Sequence, residues 1–387
     1  MIESQTGSCH FCGFGSLKIV PGYEKFHRVT SDCKPWPPGG GLGHCPQCHG
    51  AQAIMDAKWH ADAKQIYSGY TPYFQGGGVE QSVFDKISGA AITRSQRLVQ
   101  RLTTTAALPE SGRLLDIGCG NGALLRAFGA SFKQWTLAGH EVHEHLRPVV
   151  EGIAGVEKLY TCPLASVPGR FRLISLIHVL EHVPSPGDFL AQIWEKLEPG
   201  GLLLIQVPDC AQNPFTFLVA DHASHFFLPV LQTVVARAGY KVEVGANDWV
   251  AKELTVVARK LETPRVPIDT NFPGAPEISV LKHTLEWLDA LVSQARALAK
   301  SKPFGLFGTS IAATWLYGEL AGEVDFFVDE DPSRQGEKCF GKPVYAPDKA
   351  PADGHVFISL PAPIAESIRR RLEQQAVKAR FYAPLPF

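Results

Sequence analysis

Short apolar runs alternate with amphipathic segments through the middle of the chain. The run RLLDI (113–117) predicts a buried strand, and the apolar positions of ALLRAF (123–128) predict a helix directly after it. Further buried strands are predicted at Trp135–Gly139, at Leu173–Ile177 and in LLLIQV (202–207). Strands that alternate with helices in this way indicate a parallel sheet and the α/β fold class.

The last third of the chain repeats this pattern on a smaller scale. After PRVPIDTNFPG (264–274), which has linker composition, the periodicity predicts a helix at Leu281–Ala299. Residues 302–322 predict a strand, a glycine turn and a helix, and later strands are predicted in VDFFVDED (324–331) and at Val356–Pro361. A second, smaller Rossmann-like unit is therefore expected. Its turn FGTSIAA lacks the full dinucleotide fingerprint, so a nicotinamide cofactor is not expected there.

Chain length and charge bound the organisation and the partners. At 387 residues the chain is too long for one ordinary core, and the pattern predicts three parts, residues 1–80, 81–262 and 263–387. A helix at Val83–Leu102 is expected to lead into the second part. The formal charge of −1, from 37 basic and 38 acidic residues, argues against a nucleic-acid partner. Without a signal peptide or a run of about 20 apolar residues, a cytoplasmic protein with no membrane partner is expected.

Three glycines follow the first strand of the second part. Gly118, Gly120 and Gly122 let a ligand approach the backbone, and they are expected to leave backbone N–H groups free to face it. The loop joins the carboxyl end of a strand to a helix, which is where open α/β sheets bind nucleotide-like ligands. Asp116 enters the same loop, and its carboxylate repels phosphate and suits a cationic ligand.

Four of the nine cysteines form two CxxC units near the N-terminus. Two such turns can bind one Zn²⁺ in a closed tetrahedral site of the structural kind. The metal ligands that this spacing predicts are Cys9, Cys12, Cys45 and Cys48. Reduced or redox-active dithiols are the alternative. Nearby competitors for one ligand position are His10, Cys33, His44 and His49. The intervening segment is rich in Pro and Gly without a Lys/Arg cluster, which favours a metal-stapled, loop-rich module over a nucleic-acid module.

The motif DIGCGNG (116–122) resembles the first motif of class I S-adenosylmethionine (SAM) dependent methyltransferases. GHEVHEH (139–145) and HVLEHVPSPGDFL (178–190) follow the next predicted strands where that family has its second and later motifs. The resemblance implies a Rossmann-like core and SAM as the cofactor. The SAM-binding residues that it implies are Asp116, Gly118, Gly120, Gly122, Glu141, His178 and Glu181.

Substrate chemistry is expected in the loop NPFTFLVADHASHFFLP (213–229). It brings Asp221, His222 and His225 together in sequence, and an imidazole beside a carboxylate can take up a proton at neutral pH. A structural role for these histidines is the alternative. The segment IYSGYTPYFQGGGVEQ (66–81), which contains Tyr70, predicts either a lid whose phenols face a polar substrate or a flexible linker.

As a whole, the chain is similar to bacterial sugar C-methyltransferases. That family joins an N-terminal four-cysteine zinc module, a class I SAM methyltransferase core and a C-terminal Rossmann-like α/β domain. The resemblance implies C-methylation of a nucleotide-linked 4-keto-6-deoxy sugar, with His222 as the base, Asp221 assisting it and the zinc remote from the reaction. Relatives have a Tyr-His-Glu-His element where this chain has Val219 and Ala220 before Asp221 and His222. Tyr70 or a neighbouring tyrosine would then supply the phenol.

Two other functions remain open from the sequence. The altered element is also compatible with a SAM-dependent O- or N-methyltransferase that acts on another small metabolite. A non-catalytic ligand-binding or assembly protein is the third possibility, although Asp116, the three glycines and Glu141 are intact.

Overall fold

The computed structural model describes residues 7–70, 80, 82–84, 91–262, 276–320 and 322–386. The predicted linker and most of the predicted aromatic lid lie outside these residues. None of the described helices is both long enough and apolar enough to cross a membrane.

The N-terminal part is a small, loop-rich module. Its elements are β1 (Lys18–Ile19), β2 (Arg28–Val29), β3 (Pro35–Trp36), β4 (Leu42–His44), β5 (Ala51–Ala53) and α1 (Ala57–Ser68). β1, β4 and β5 form an antiparallel sheet, and β2 pairs with β3. Helix α1 begins after Asp56, whose side chain accepts a hydrogen bond from the Trp59 N–H at 2.7 Å and so caps the helix.

A strand pair and a helix connect this module to the central sheet. The pair is β6 (Ser82–Phe84) with β7 (Ala91–Thr93), and α2 (Arg94–Thr105) follows. The prediction of one helix from Val83 to Leu102 is therefore wrong in its first half. Thr93 and Gln96 form a capping box, in which each side chain satisfies the other residue's backbone N–H, and this places the start of the helix at Arg94.

Seven strands form the central sheet in the order β10-β9-β8-β11-β12-β15-β14. Its elements and those between them are β8 (Gly112–Ile117), α3 (Ala123–Ser131), β9 (Trp135–His140), α4 (Arg147–Glu151), β10 (Val156–Tyr160), β11 (Phe171–Ile177), α5 (Pro186–Lys196), β12 (Leu197–Pro208), β13 (Ser224–His225), α6 (Leu228–Arg237), β14 (Tyr240–Ala246) and β15 (Glu253–Lys260). Within this sheet, β15 runs antiparallel to the other six strands. The predicted strands of this region are confirmed. The direction of winding reverses between β8 and β11, so a crevice opens at their carboxyl ends.

A second, six-stranded sheet lies in the C-terminal part, in the order β18-β19-β17-β16-β20-β21. The elements are α7 (Ile278–Leu298), β16 (Phe304–Phe307), α8 (Ile311–Leu320), β17 (Phe326–Val328), β18 (Lys338–Cys339), β19 (Lys342–Tyr345), β20 (His355–Ile358), α9 (Ala362–Gln374) and β21 (Arg380–Tyr382). Five of the strands are parallel, which agrees with the predicted Rossmann-like unit.

The N-terminal module packs against both larger sheets. The Trp315 ring of α8 contacts Phe26 of the module and Phe215 of the segment after β12, with ring centroids 6.2 and 5.8 Å apart. The His27 N–H of the module donates to Glu319 at 2.7 Å. The segment after β12 is therefore enclosed between the module and the C-terminal part.

Candidate active site

The glycine loop after β8 has the backbone that the sequence predicts. Gly118 and Gly122 have φ of 68° and 80°, a region that side chains disfavour. A Cβ on Gly118 would meet Val179 Cγ2 at 2.4 Å, and a Cβ on Gly122 would meet Ile153 Cδ1 at 2.3 Å. Glycine is therefore required at both positions for the turn to close.

The backbone N–H groups of this loop are used differently from the prediction. Gly118 N–H donates to the His140 carbonyl at 2.7 Å, and Gly120 N–H donates to Glu141 Oε2 at 3.1 Å. Gly122 N–H donates to the Cys119 carbonyl at 2.8 Å. The expectation that these groups stand free for a ligand is corrected, because two of them tie the loop to the end of β9 and the third closes the turn within the loop.

Two carboxylates flank the glycine loop at the carboxyl ends of adjacent strands. Asp116, on β8, accepts a hydrogen bond from Ser175 Oγ at 2.7 Å and is almost fully buried. Burial, with the charges of Glu141 and Glu80 adding to it, raises the pKa of Asp116 to about 7. Glu141 follows β9, and its Oε1 accepts the Val142 N–H at 2.7 Å. Asp116 and Glu141, which the sequence predicts to bind SAM, thus lie at the ends of neighbouring strands beside the loop, and their contact with SAM stays a prediction.

His178 lies in a half-buried charged cluster at the end of β11. Its Nδ1 is 3.2 Å from Glu181 Oε1, and its Nε2 is 3.3 Å from Glu253 Oε2 and 2.7 Å from Arg94 Nη1. Burial acts to lower the pKa of His178, but the carboxylates of Glu253 and Glu181 outweigh it and raise the pKa to about 9. Sequence reasoning missed Arg94 and Glu253, which are far from His178 in the chain.

The segment between β12 and α6, residues 209–227, is named the histidine loop here. His222 is 5% exposed, and its ring makes an edge contact with His182 at a centroid distance of 4.8 Å. Its Nδ1 lies 3.3 Å from Thr216 Oγ1. Burial and the neighbouring histidines lower the pKa of His222 well below its ordinary value, so its imidazole is neutral at pH 7.

Asp221 has a different partner from the one predicted. Within the described residues, its carboxylate contacts Ser31 and His182 instead of the His222 ring. Ser31 donates its N–H and its Oγ at 2.9 and 2.6 Å, and His182 Nδ1 lies 3.3 Å from Asp221 Oδ2. The prediction that Asp221 assists His222 directly is therefore corrected, since the carboxylate reaches it only through His182. Sequence reasoning missed His182, although it stands beside Glu181 in the motif HVLEH.

The two other residues predicted for catalysis lie at the edges of this site. His225 belongs to β13, with its ring centroid 6.2 Å from that of His222, and burial lowers its pKa to about 3. The Tyr70 ring stacks on the His143 ring, two residues after Glu141, with the ring centroids 6.2 Å apart. Tyr67, and not Tyr70, supplies a phenol next to His182, since their ring centroids are 6.2 Å apart.

The four predicted cysteine ligands converge in the N-terminal module. Cys9 Sγ lies 3.5 Å from Cys48 Sγ, Cys12 Sγ lies 3.6 Å from Cys45 Sγ, and all four sulfur atoms lie within 4.8 Å of one another. In a tetrahedral site with Zn–S bonds of about 2.3 Å the sulfur atoms are about 3.8 Å apart, so the cluster fits Zn²⁺. His10 Nε2 lies instead 3.0 Å from Ser224 Oγ, and His44 Nε2 lies 3.2 Å from the Pro276 carbonyl.

The module holds the histidine loop directly. β13 pairs antiparallel with β5, and the Ala53 N–H donates to the Ala223 carbonyl at 3.0 Å. On the other side of the loop, the Ala220 N–H donates to the Val29 carbonyl at 2.8 Å. Zn²⁺ at the cysteines would therefore stabilise the strands on which the histidine loop lies, without being among the histidines.

Comparison with known proteins identifies the central part of the chain. Residues 90–243 match the family described as methyltransferase domain. The ubiquinone biosynthesis O-methyltransferase of Caulobacter sp. (strain K31) is 35% identical over 106 residues, 25% of this chain and 40% of that protein. The mitochondrial protein of the same name from Schizosaccharomyces pombe is 33% identical over 102 residues, 24% of this chain and 36% of that protein. The chain spans less than half the length of these two curated relatives.

A solved SAM-dependent methyltransferase from Mesorhizobium loti is 16% identical, with 43% of this chain and 98% of that chain covered and a TM-score of 0.36. Residues 90–243 match the methyltransferase domain family in sequence, and they include the strands β8 and β11, between which the order of the central sheet reverses.

Proposed function

We propose that the protein is a SAM-dependent methyltransferase that C-methylates a nucleotide-linked 4-keto-6-deoxy sugar. The observation that carries the proposal is the buried His222 on the loop after β12, in contact with His182. A neutral imidazole in this position is suited to remove a proton from carbon beside a carbonyl group. The glycine loop with Asp116 and Glu141 supports SAM as the methyl donor.

SAM would be held at the carboxyl ends of β8 and β9. Gly118 and Gly122 permit close approach to the turn, Glu141 offers a carboxylate to ribose hydroxyls, and Asp116 offers one to a cationic ligand. When bound, SAM supplies an electrophilic methyl group on a sulfonium. The remaining task of the protein is to align that methyl group with the acceptor carbon.

The acceptor carbon becomes a nucleophile only after it loses a proton. With Thr216 accepting from Nδ1–H, His222 presents its Nε2 lone pair, which takes the proton while the C–H electron pair forms an enolate on the sugar. His182, oriented by Asp221, offers a ring N–H toward the developing negative charge. SAM, held by the glycine loop, Asp116 and Glu141, would supply the methyl group to the enolate carbon, with S-adenosylhomocysteine as the product.

A methyl transfer to oxygen is the second candidate, and one observation favours it. Val219 and Ala220 stand where the sugar C-methyltransferases have a tyrosine and a histidine. Both side chains are buried, and Val219 pairs with Val29 of β2 in a parallel β-bridge. They therefore bring no polar group to the acceptor. The two curated relatives named above are O-methyltransferases. Loss of deuterium from the acceptor's α-carbon separates the candidates, because only C-methylation breaks that bond.

The proposed function is tested by transfer of labelled methyl from SAM to a panel of dTDP- and GDP-linked 4-keto-6-deoxy sugars. We expect label on a ring carbon, located by NMR, and washout of deuterium from the same carbon. Label on oxygen without washout would support O-methylation. Transfer to none of the sugars, with SAM still bound, would overturn the sugar assignment.

Gly118→Ala tests the glycine loop. Because φ at Gly118 is 68° and the new Cβ would lie 2.4 Å from Val179, we expect a loss of about 1–3 kcal/mol of unfolding free energy and at least tenfold weaker SAM binding. Calorimetry measures both quantities. The matched control is Gly187→Ala on α5, where nothing beyond the neighbouring residues and the helix's own backbone lies within 4 Å of the new Cβ. Equal SAM affinity in the two variants would contradict a role for the loop.

SAM affinity is expected to depend on pH through Asp116. Its pKa of about 7 leaves the carboxyl mostly protonated below pH 7, so affinity for cationic SAM should fall from pH 7.5 to 5.5, by up to about tenfold per unit. The same raised pKa stabilises the unliganded protein at low pH, and that contribution is lost as pH rises from about 4 to 7. Asp116→Asn should remove both trends. An unchanged pH profile of SAM binding in Asp116→Asn would refute the assignment.

A further inference from the structure

Three potential metal ligands meet where the histidine loop faces the segment after β11. Glu181, His182 and His222 each offer one atom, and these atoms lie within 4.8 Å of one another. This set is named the Glu181 triad. None of its members belongs to the four-cysteine cluster, and each lies on a backbone segment held by the central sheet or the N-terminal module.

The carboxylate of Glu181 is the observation that points to a ligand. The residue is 1% exposed, and neither of its oxygens has a hydrogen-bond partner among the described residues. His178 Nδ1, at 3.2 Å from Oε1, forms an ion pair with it, and His178 is shared with Glu253. A buried carboxylate is costly unless its oxygens are paired or bind a metal, and no described residue offers Oε2 such a partner.

Both histidines are oriented as metal ligands usually are. His182 Nδ1 faces Asp221, and His222 Nδ1 faces Thr216 Oγ1, which leaves the Nε2 atoms as the potential ligands. Metal-bound histidines commonly donate the other ring N–H to a carboxylate or another acceptor, which fixes the ring and its tautomer. Ser31 in turn donates two hydrogen bonds to Asp221, so the outer contacts are themselves held in place.

We propose that the Glu181 triad binds one divalent transition-metal ion, such as Zn²⁺ or Co²⁺, in a second site besides the cysteines. Two imidazoles and one carboxylate suit these ions and leave a coordination position for water or substrate. Ligands of a tetrahedral Zn²⁺ ion stand about 3.3 Å apart, so the side chains need to close by about 1.5 Å. Because the ion would occupy the lone pair of His222, it would inhibit the proposed proton removal.

Binding is measured on the full chain without any acceptor, so it does not depend on the proposed function. Co²⁺ is titrated into protein whose cysteine site already holds zinc, and X-ray absorption at the cobalt edge reports the ligands. We expect one equivalent of Co²⁺ with nitrogen and oxygen ligands at about 2.0–2.2 Å and no sulfur at about 2.3 Å. No bound cobalt, or a sulfur-only shell, would overturn the proposal.

Variants assign the ion to these residues. Glu181→Gln and His182→Asn should each weaken Co²⁺ binding at least about 100-fold, and Asp221→Asn should weaken it about tenfold through the orientation of His182. His283→Asn, which changes an exposed side chain of α7, is the matched control and should bind as the wild type does. An unchanged circular-dichroism spectrum in each variant shows that the fold is intact. Unchanged cobalt affinity in both ligand variants would place the ion elsewhere and refute the site.

The functional consequence has its own test, which rests on the proposed function. Excess Zn²⁺ should inhibit methyl transfer in proportion to occupancy of the Glu181 triad and in competition with the acceptor. If Zn²⁺ binds there and activates the reaction, the site stands and His222 is not the base. The failure of the metal site and the failure of the proposed mechanism are thereby distinguished.

Discussion

The His222→Asn variant is expected to lose methyl transfer by about 10³-fold while it binds SAM within about twofold of the wild type. A positioned general base accelerates a reaction about 10²-fold to 10⁴-fold. Asparagine keeps a polar group of similar size but cannot take up a proton near neutral pH. The His222 ring lies against His182 and Thr216. Among the described residues, no hydrogen bond or ring contact joins it to the glycine loop. Single-turnover transfer of labelled methyl and SAM calorimetry measure the two effects.

Two further variants sharpen this result. His182→Asn should lower the rate of methyl transfer less than His222→Asn does, by about tenfold to 100-fold. His182 stabilises the developing negative charge and does not accept the proton. His283→Asn changes an exposed histidine on α7 and should leave the rate unchanged. Deuterium washout should fall with methyl transfer in His222→Asn. Washout at the wild-type rate in that variant would show that another group removes the proton.

The Cys45→Ser variant is expected to methylate the acceptor at least about 100-fold more slowly than the wild type, while its SAM affinity stays within about threefold of the wild-type value. A structural Zn²⁺ contributes on the order of 10 kcal/mol to the folding of small domains, so loss of one ligand should unfold the N-terminal module. β5 would then no longer pair with β13, and Ser31 would no longer hold Asp221. The glycine loop, tied to β9, does not depend on these contacts.

Hydrogen exchange and metal analysis test this prediction without an acceptor. Amides of the histidine loop should lose protection in Cys45→Ser, and bound zinc should fall by one equivalent. The matched control is Cys162→Ser, a half-buried cysteine after β10 that lies outside the four-cysteine cluster. Loss of SAM binding together with zinc would mean that the module and the central sheet unfold as one unit, contrary to the expectation.

Local sequence was sufficient for the SAM side of the site. The strand, the glycine turn and the helix of residues 113–128 are consecutive, and their pattern depends on backbone preferences that act within a few residues. Asp116 and Glu141 follow neighbouring parallel strands, so their meeting is a consequence of sheet order. The spacing of the cysteines likewise predicted a cluster because each CxxC turn positions its own pair of sulfur atoms.

Contacts between distant segments decided the acceptor side. Asp221 stands next to His222 in sequence, yet successive side chains point in different directions, and its carboxylate meets His182 and Ser31, which are 39 and 190 residues away. The pairing of β13 with β5 and the burial of Glu181 have no local signal either. Sequence by itself therefore determined the strands of the central sheet, the glycine loop and the four-cysteine cluster. Only the tertiary structure decided which histidine receives the support of Asp221, because that depends on which distant segments pack against the histidine loop.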